Sequence, residues 1–407
     1  MNQPLLSVVV PTKRSRLDEL SRQAIASALS IASPNIEIVL HVDDDLQGNQ
    51  HAIDVPTFAA TFQDSRIRWF LNPEPLTMTQ NWEMAIGRAT GEYLIIIGDD
   101  DSIRPEVLQF AEWAKKHNLD NVLGNGNVQY YWPSYPAIKN AGTVIGLDIN
   151  GRISFPDIKK TIIKNSFGPK MLHYQLQPEI YHGLVRRSTL ERMKAVTGRY
   201  VGSAIPDLYF AFAFAPFVKK YAIVDYPFSL AGYSMKGNSG KFKKNAVSIE
   251  QKNYTLEKWP SSIPQTKDFV SLYAKCKLDA YKDSGQEHLI KNMQPFAVYA
   301  QCFLNSPHSM TRFKNLRGQF RTYLQEEKIF SIAGFTRLFL WILYYIIVRI
   351  NLKMPYALHL FEREHNVIYK KKPDFKYKAE TIEEANGKLT EWLLAKGLTV
   401  QKVLFRA

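Results

Sequence analysis

The chain has 407 residues, of which 45 % are hydrophobic and 22 % charged, so it is long enough to bury the cores of two or three domains. This composition excludes a disordered chain and a small protein held together by disulfides. The two cysteines, Cys276 and Cys302, form no CxxC motif, which argues against a zinc module and favours a reducing compartment. The N-terminal MNQPLLSVVVPTKR has its charges after the apolar run, so we expect no signal peptide and a cytosolic start.

The positive charge of the chain is concentrated towards its C-terminus. The formal net charge is +14, and residues 301–407 hold 18 Lys or Arg against 9 Asp or Glu. Such an excess of positive charge is typical of proteins that bind an anionic membrane surface or nucleic acid, and charge alone does not distinguish these two partners.

Apolar runs alternate with helical patterns over the first 105 residues. The pattern predicts strands at 7–10, 36–42, 67–70 and 93–97, and helices at 17–32 and 81–89. This alternation predicts an α/β fold with a mostly parallel sheet that is covered on both faces.

Two acidic clusters follow predicted strands. Residues 43–45 and residues 99–101 are both Asp-Asp-Asp, and ligands of parallel sheets bind beyond the carboxyl ends of the strands. Adjacent carboxylates repel one another, so a fold that keeps them close needs a cation or full solvent exposure. We therefore expect a Mg²⁺ or Mn²⁺ site, because these ions bind through one or two carboxylates and the phosphates of a substrate. A solvated loop that caps the next helix is the alternative, and it is favoured for residues 43–45 taken alone.

Three segments in this order resemble the family 2 glycosyltransferases of the GT-A fold, of the bacterial surface-polysaccharide type: SVVVPTK, EIVLHVDD and NWEMAIGRATGEYLIIIGDDDSIRP. The resemblance implies an inverting, metal-dependent transferase that uses a nucleotide sugar. It implies that Asp43 bonds the nucleobase with Thr12 nearby, that Asp99 holds the ribose or the metal, and that Asp100 and Asp101 hold the metal. Many members carry their first acidic residue where this chain has Gly98, so the division of roles among residues 99–101 stays open.

Sugar transfer also needs a base that takes the proton of the acceptor hydroxyl. Asp207 follows Pro206 and precedes an apolar run, where desolvation would raise its pKa. The base of the family lies in a comparable place. A helix N-cap is the alternative for Asp207.

Two further segments are candidates for the site. Glu179 and His182, in QPEIYHGLVRRS, are weak candidates for the acceptor site, although a single histidine near an apolar strand is more often structural. Lys236 lies in the glycine- and serine-rich segment GYSMKGNSG, which could close over the diphosphate or could be an ordinary surface loop.

The domain organisation that we predict has three parts. Residues 1–240 form the GT-A domain, with a nucleotide-sugar half at 1–104 and an acceptor half at 105–240. Residues 241–330 are helical, and residues 331–407 form a basic, aromatic region. Within the last part, LFLWILYYIIV at 338–348 would span about 16 Å as a helix, against a hydrocarbon core of roughly 30 Å. It is either a buried core helix or a helix at the membrane surface, where Lys370, Lys371 and Lys372 would add attraction to anionic lipids.

The expected function is transfer of a sugar from a nucleotide diphosphate sugar to a glycan or lipid-linked acceptor, in cell-surface polysaccharide synthesis. We expect a peripheral location on the inner face of the cell membrane and no nucleic-acid partner. One rival is a sugar nucleotidyl transferase, although the loop PTKRSR lacks the glycines that such an enzyme uses. The other rival is a non-catalytic protein that binds membrane or nucleic acid on the same scaffold. P-loop, dinucleotide-binding and G-x-S-x-G motifs are missing from the sequence.

Overall fold

The computed structural model describes residues 3–46, 53–124, 127–135, 140–167, 176–237, 259–266, 268–305, 310–329, 332–353 and 373–405. The strands β1 to β13 are Leu6–Lys13, Ile36–Asp43, Ile67–Asn72, Tyr93–Ile96, Ser102–Ile103, Asn121–Gly124, Asn127–Tyr131, Thr143–Leu147, Ile153–Ser154, Gly183–Arg186, Tyr221–Val224, Ser229–Tyr233 and Phe375–Lys378. The helices α1 to α13 are Arg22–Leu29, Val55–Ala60, Met78–Arg88, Val107–Lys116, Ile158–Ser166, Arg187–Thr197, Pro206–Phe214, Phe269–Asp283, Pro295–Leu304, Met310–Glu326, Ile332–Lys353, Ile382–Ala395 and Val400–Phe405.

The larger sheet carries the acidic clusters. Its strand order is β3-β2-β1-β4-β10-β6-β11-β9, and its first four strands are parallel. Strands β1, β2 and β4 are apolar and buried along nearly their whole length, as expected for strands covered on both faces. The predicted α/β class is therefore confirmed, and the predicted strands and helices of the first 105 residues all form with shifted ends.

The helix predicted at 17–32 begins with a π-helical turn at Leu17–Ser21 before α1. Helix α3 has a complete capping box, in which Thr77 and Gln80 bond each other's backbone N–H. Its residues Trp82, Ala85 and Ile86 lie at helical spacing and are buried.

The second sheet joins distant parts of the chain in the order β13-β8-β7-β12-β5. Strand β13 pairs antiparallel with β8, with Phe375 opposite Gly146. A side chain at Gly146 would meet the Phe375 ring, since a Cβ atom there would lie 2.1 Å from Cε1. Leu389 on α12 and Val403 on α13 are buried in the same core as β1 and β2. Residues 373–405 thus pack onto the N-terminal part of the chain.

Helices α8 to α10 lie within the segment 241–330 that the sequence predicts to be helical, and α11 follows that segment. Helix α8 packs on α7, and α9 packs on α11. Helix α11 contains the uncharged segment 338–348, of which Leu338 and Tyr345 are buried while Phe339 and Leu340 are exposed. Within the described residues, no helix has the length and apolarity needed to cross a membrane. Residues 370–372 lie outside the described residues.

Candidate active site

Each carboxylate of residues 43–45, at the end of β2, is bonded by one residue of the segment 13–15 at the end of β1. Asp43 is fully buried, and its Oδ2 accepts a bond from Lys13 Nζ at 2.8 Å while Oδ1 accepts the Leu76 N–H at 2.7 Å. Asp44 Oδ2 lies 2.9 Å from Arg14 Nη1, and the Asp45 carboxylate accepts bonds from the N–H and hydroxyl of Ser15.

The register of the two strands explains this pairing. Because β1 and β2 run parallel with Lys13 opposite Asp43, the residues that follow them stay side by side. Each of the three carboxylates therefore meets a donor 30 positions earlier in the chain.

In the cluster after β4, the first residue, Asp99, is the one that forms a salt bridge with a Lys or Arg of the described chain. Asp99 Oδ2 accepts a bond from Thr12 Oγ1 at 2.8 Å, and Asp99 Oδ1 lies 3.1 Å from Arg16 Nη1. Burial would lower the pKa of Arg16, but attraction to Asp99 and Asp100 outweighs it and raises that pKa. Arg16 therefore stays charged beside the cluster.

Asp100 is buried without a salt bridge to any described residue. Its Oδ2 accepts bonds from the Ser234 hydroxyl at 2.7 Å and the Ser234 N–H at 3.3 Å. Burial, followed by repulsion from Asp101 and Asp99, raises the pKa of Asp100 to about 8. Ionised Asp100 is consequently costly unless a cation is supplied from outside the described chain.

Asp101 is fully buried and is held by neutral donors. Its Oδ1 accepts the Gly232 N–H at 2.7 Å, and its Oδ2 accepts the Tyr181 hydroxyl at 2.7 Å and the Gly98 N–H. A Cβ atom on Gly98 would lie 2.8 Å from Asp101 Oδ2. A glycine therefore suits the position at which many family 2 members carry an acidic residue.

His182 borders the same carboxylate from an unusual backbone conformation. Its φ is 61°, a region that few non-glycine residues adopt, and its N–H donates to the Ile96 carbonyl at 3.0 Å. Nδ1 bonds the Ser229 hydroxyl at 2.7 Å, whereas Nε2 is buried with no hydrogen-bond partner in the described chain, 3.5 Å from Asp101 Oδ2. Burial lowers the pKa of His182, so the ring is neutral at neutral pH.

Glu179 and Asp207 lie close enough for their charges to interact, and the charge of Asp207 also acts on Tyr181. Burial and then the charge of Asp207 raise the pKa of Glu179 well above its usual value. Burial also raises the pKa of Asp207, while the N–H groups of Leu208 and of Asp207 itself oppose that rise. Asp207 lies in the first turn of α7, whose N-cap is Ile205, so Asp207 is not the N-cap residue, although its carboxylate bonds the Leu208 N–H as that alternative expects.

Lys236 does not reach the acidic cluster, although its loop does. Gly237 packs so closely on Asp100 that a Cβ atom there would lie 2.5 Å from Oδ2. Lys236 Nζ instead lies 2.6 Å from Glu19 Oε2, and both side chains are about half exposed. Residues 238–240 of the predicted loop lie outside the described residues.

The structure thus brings together most of the residues singled out in the sequence: Thr12, Asp43, Asp99, Asp100, Asp101, Glu179, His182 and Asp207. Sequence reasoning missed Arg16, Tyr181 and Ser234. Arg16 was within the examined loop PTKRSR, and Tyr181 lies between two residues that were already candidates. Ser234 lies in the segment GYSMKGNSG, which was already a candidate, but no local pattern indicates that it would meet Asp100. In the described chain, no group of three or more His, Cys, Asp or Glu is arranged to hold a metal.

Comparison with known proteins supports one family. Residues 7–145 match the model of the family "Glycosyl transferase family 2". No curated protein sequence matches the chain. Among solved structures, S. aureus TarS 1-349 in complex with UDP-GlcNAc is 13 % identical, with 79 % of this chain and 92 % of that chain covered and a TM-score of 0.45. The mannosyltransferase PcManGT from Pyrobaculum calidifontis, in complex with GDP-Man and Mn²⁺, is 14 % identical over 84 % of this chain and 88 % of that one, with a TM-score of 0.37.

Proposed function

We propose that this chain, whose residues 7–145 match the model of glycosyl transferase family 2, moves a sugar, with inversion, from a nucleoside diphosphate sugar to a glycan or lipid-linked acceptor. The single observation that carries the proposal is the set of interactions made by Tyr181. Its hydroxyl donates to the buried Asp101, and burial together with the charges of Asp101, Asp100 and Asp207 raises its pKa. The candidate donor site and the candidate base therefore both interact with Tyr181 near the end of β4.

We propose Mn²⁺ or Mg²⁺ as the cofactor, held by Asp100 and Asp101. The fit rests on two buried carboxylates that no described cation pairs with, and on the buried Nε2 of His182, which has no hydrogen-bond partner in the described chain and lies beside Asp101. These ions are usually bound by fewer than three carboxylate or histidine ligands, because substrate phosphates complete their coordination. When bound, the ion would neutralise the charge that develops on the departing diphosphate.

The remaining donor contacts are assigned to the loops after β1 and β2. Asp43 would bond the nucleobase beside Thr12, and Asp99 would bond the ribose. Asp99 is an unfavourable metal ligand because Arg16 already neutralises it and Thr12 occupies Oδ2. Lys236 could reach the diphosphate only after leaving Glu19, so we assign it a contact made when the donor binds.

The acceptor side is assigned to Asp207 and Glu179. Asp207 would take the proton of the acceptor hydroxyl while the bond between the anomeric carbon and the phosphate oxygen breaks in line. Its raised pKa suits a base that works near neutral pH. Glu179, whose pKa is raised well above the usual range, would remain protonated and donate a hydrogen bond to the acceptor.

The domain limits at 240 and 330 and a peripheral position at the cell membrane belong to the same proposal. The packing of β13, α12 and α13 supports one addition, which is that residues 373–405 fold together with the catalytic part. A deletion of residues 331–407 would therefore remove part of that core along with any membrane attachment.

The test is an assay of nucleoside diphosphate release from a panel of UDP- and GDP-sugars with Mn²⁺, in the presence of glycan acceptors. Asp207→Asn should lower kcat by roughly 10³-fold without weakening donor binding, since general-base catalysis contributes about 10²- to 10⁴-fold. Glu179→Gln is the matched control, and it should stay within about tenfold of wild type because it replaces an acid that is already neutral.

An unchanged kcat in Asp207→Asn would contradict the assignment of the base. A product that retains the anomeric configuration of the donor, measured by NMR of the anomeric proton, would contradict inversion. Absence of any sugar transfer with retained binding of nucleotide would favour the non-catalytic alternative.

A further inference from the structure

Helix α11 carries large apolar side chains on two sides, and among the described residues only one of those sides is covered. Leu338 and Tyr345 are buried, with Trp341 and Ile342 half-buried beside them, against the core that includes α9. The other side, which we call the apolar face, exposes Ile332, Phe339, Leu340, Leu343, Ile346 and Ile347. Their spacings of three, four and seven positions place them along one side of the helix.

The apolar face is too extensive to be ordinary surface. Phe339 is 62 % exposed and Leu340 is 56 % exposed, in the middle of a 22-residue helix. Single exposed apolar residues are common on soluble proteins, but six of them along one side of a helix mark a surface that another body covers.

The neighbouring helix α10 carries exposed cations. Lys314, Arg317 and Arg321 are exposed and lie three or four positions apart, and we call them the basic stripe. Helices α10 and α11 are in contact, because the Phe320 and Phe335 rings lie 5.9 Å apart. Arg337 is also exposed, and residues 332–353 contain no Asp or Glu.

From this combination we propose that the apolar face of α11 and the basic stripe of α10 dock on the surface of an anionic lipid bilayer. Apolar side chains enter the boundary between headgroups and acyl chains, and the cations bind the lipid phosphates. The helix lies along the surface and does not cross the bilayer, since its other side is packed against protein. A symmetric second copy on the same face would bring two sets of cations together, which is electrostatically unfavourable.

The docking proposal is argued from helices α10 and α11 alone. Its consequence for the acceptor rests on the proposed function. If that function is correct, docking brings the chain to a membrane surface, where a lipid-linked acceptor is concentrated.

The experiment is co-sedimentation of the full-length protein with vesicles of phosphatidylcholine alone or with about 30 % phosphatidylglycerol. We expect binding only to the anionic vesicles, and weaker binding at high salt. The variant K314Q/R317Q/R321Q should lower the partition coefficient by about 100-fold, because each cation near an anionic leaflet contributes roughly a factor of five. L340Q/L343Q should lower it by at least about tenfold.

Matched controls come from other exposed helices. K159Q/K160Q/K164Q removes three exposed cations from α5, and L394Q/F405Q removes two exposed apolar side chains from α12 and α13. Both should bind anionic vesicles as wild type does. Circular dichroism and donor binding verify folding, and donor binding also keeps a failure of docking distinct from a failure of the proposed function.

Three results would overturn the proposal. These are a wild-type protein that does not bind anionic vesicles, variants of α10 and α11 that bind no worse than their controls, and a wild-type dimer that L340Q/L343Q converts to a monomer. The last result would identify a second copy as the body that covers the face.

Discussion

The two Asp-Asp-Asp clusters have the same composition and follow strands of the same sheet, but their charge balance differs. After β2, Lys13 and Arg14 neutralise Asp43 and Asp44, and Ser15 binds Asp45. After β4, Arg16 forms a salt bridge with Asp99, while burial, followed by repulsion from Asp101 and Asp99, raises the pKa of Asp100. A row of acidic residues therefore indicates a cation site where buried carboxylates of the row have no salt bridge within the described chain.

The largest effect that separates the clusters should be on catalysis. Asp100→Asn should lower kcat/KM by about 10³-fold, since stabilisation of diphosphate charge by a bound ion is worth several kcal/mol. Asp44→Asn changes the same chemical group in the cluster that is already paired, and it should cost less than about tenfold. Steady-state kinetics with a common donor measures both, and equal losses would show that the clusters have equivalent roles.

A second effect should appear in stability. Arg16→Met leaves Asp99 buried beside two other carboxylates, and removal of one partner from a buried pair costs about 3 kcal/mol in the free energy of unfolding. Lys13→Met should cost only about 1 kcal/mol, because Lys13 is more exposed and Asp43 keeps the Leu76 N–H. Urea unfolding of the metal-free proteins measures both losses.

The double variant Arg16→Met/Asp99→Asn provides the control for that comparison. It removes the charge left behind by Arg16→Met and should recover most of the lost stability. If the double variant is no more stable than Arg16→Met, the loss comes from packing, and the ion pair does not explain it.

The smallest effect is a pH dependence of the metal-free protein. Asp100 has a pKa of about 8 in the folded chain against 3.8 for the free side chain, so between these values the folded state holds a proton that the unfolded state has released. Stability contributed by this group is present below about pH 4 and is lost as the pH rises towards 8. Asp100→Asn should therefore flatten this decline and raise the Tm at pH 8 by a few degrees, for about 1 to 2 kcal/mol of free energy.

Thermal unfolding of the wild type and of Asp100→Asn between pH 5 and 8.5, in the presence of a chelator, measures how the two Tm values depend on pH. A Tm of Asp100→Asn that falls with pH as steeply as that of wild type would contradict the role of Asp100. An Asp45→Asn variant should follow the wild-type curve.

An element of the fold could be predicted where the residues that determine it are close together in the sequence. The strands of the first 105 residues were predictable because buried parallel strands appear as continuous apolar runs. Strand β13 was not predictable, because its partner β8 lies about 230 residues earlier and its own four residues, FKYK, are mostly polar. Its membership in the catalytic core depends on Phe375 meeting a glycine that no local pattern connects to it.

The same distinction applies to the candidate site. The acidic clusters and Asp207 were found because they are exceptions to their apolar surroundings. Which carboxylate receives a cation depends on the register between β1 and β2, and a sequence does not display that register. The approach of His182 to Asp101 depends on a left-handed backbone that histidine rarely adopts.

The most direct test of the central claim is a Mn²⁺ titration of the metal-free protein, followed by electron paramagnetic resonance of the free ion, with and without UDP or GDP. We expect one Mn²⁺ per chain, bound more tightly when the matching nucleoside diphosphate is present, retained in Asp44→Asn and lost in Asp100→Asn. Binding of Mn²⁺ that is equal in wild type and Asp100→Asn, or that ignores the diphosphate, would contradict the account.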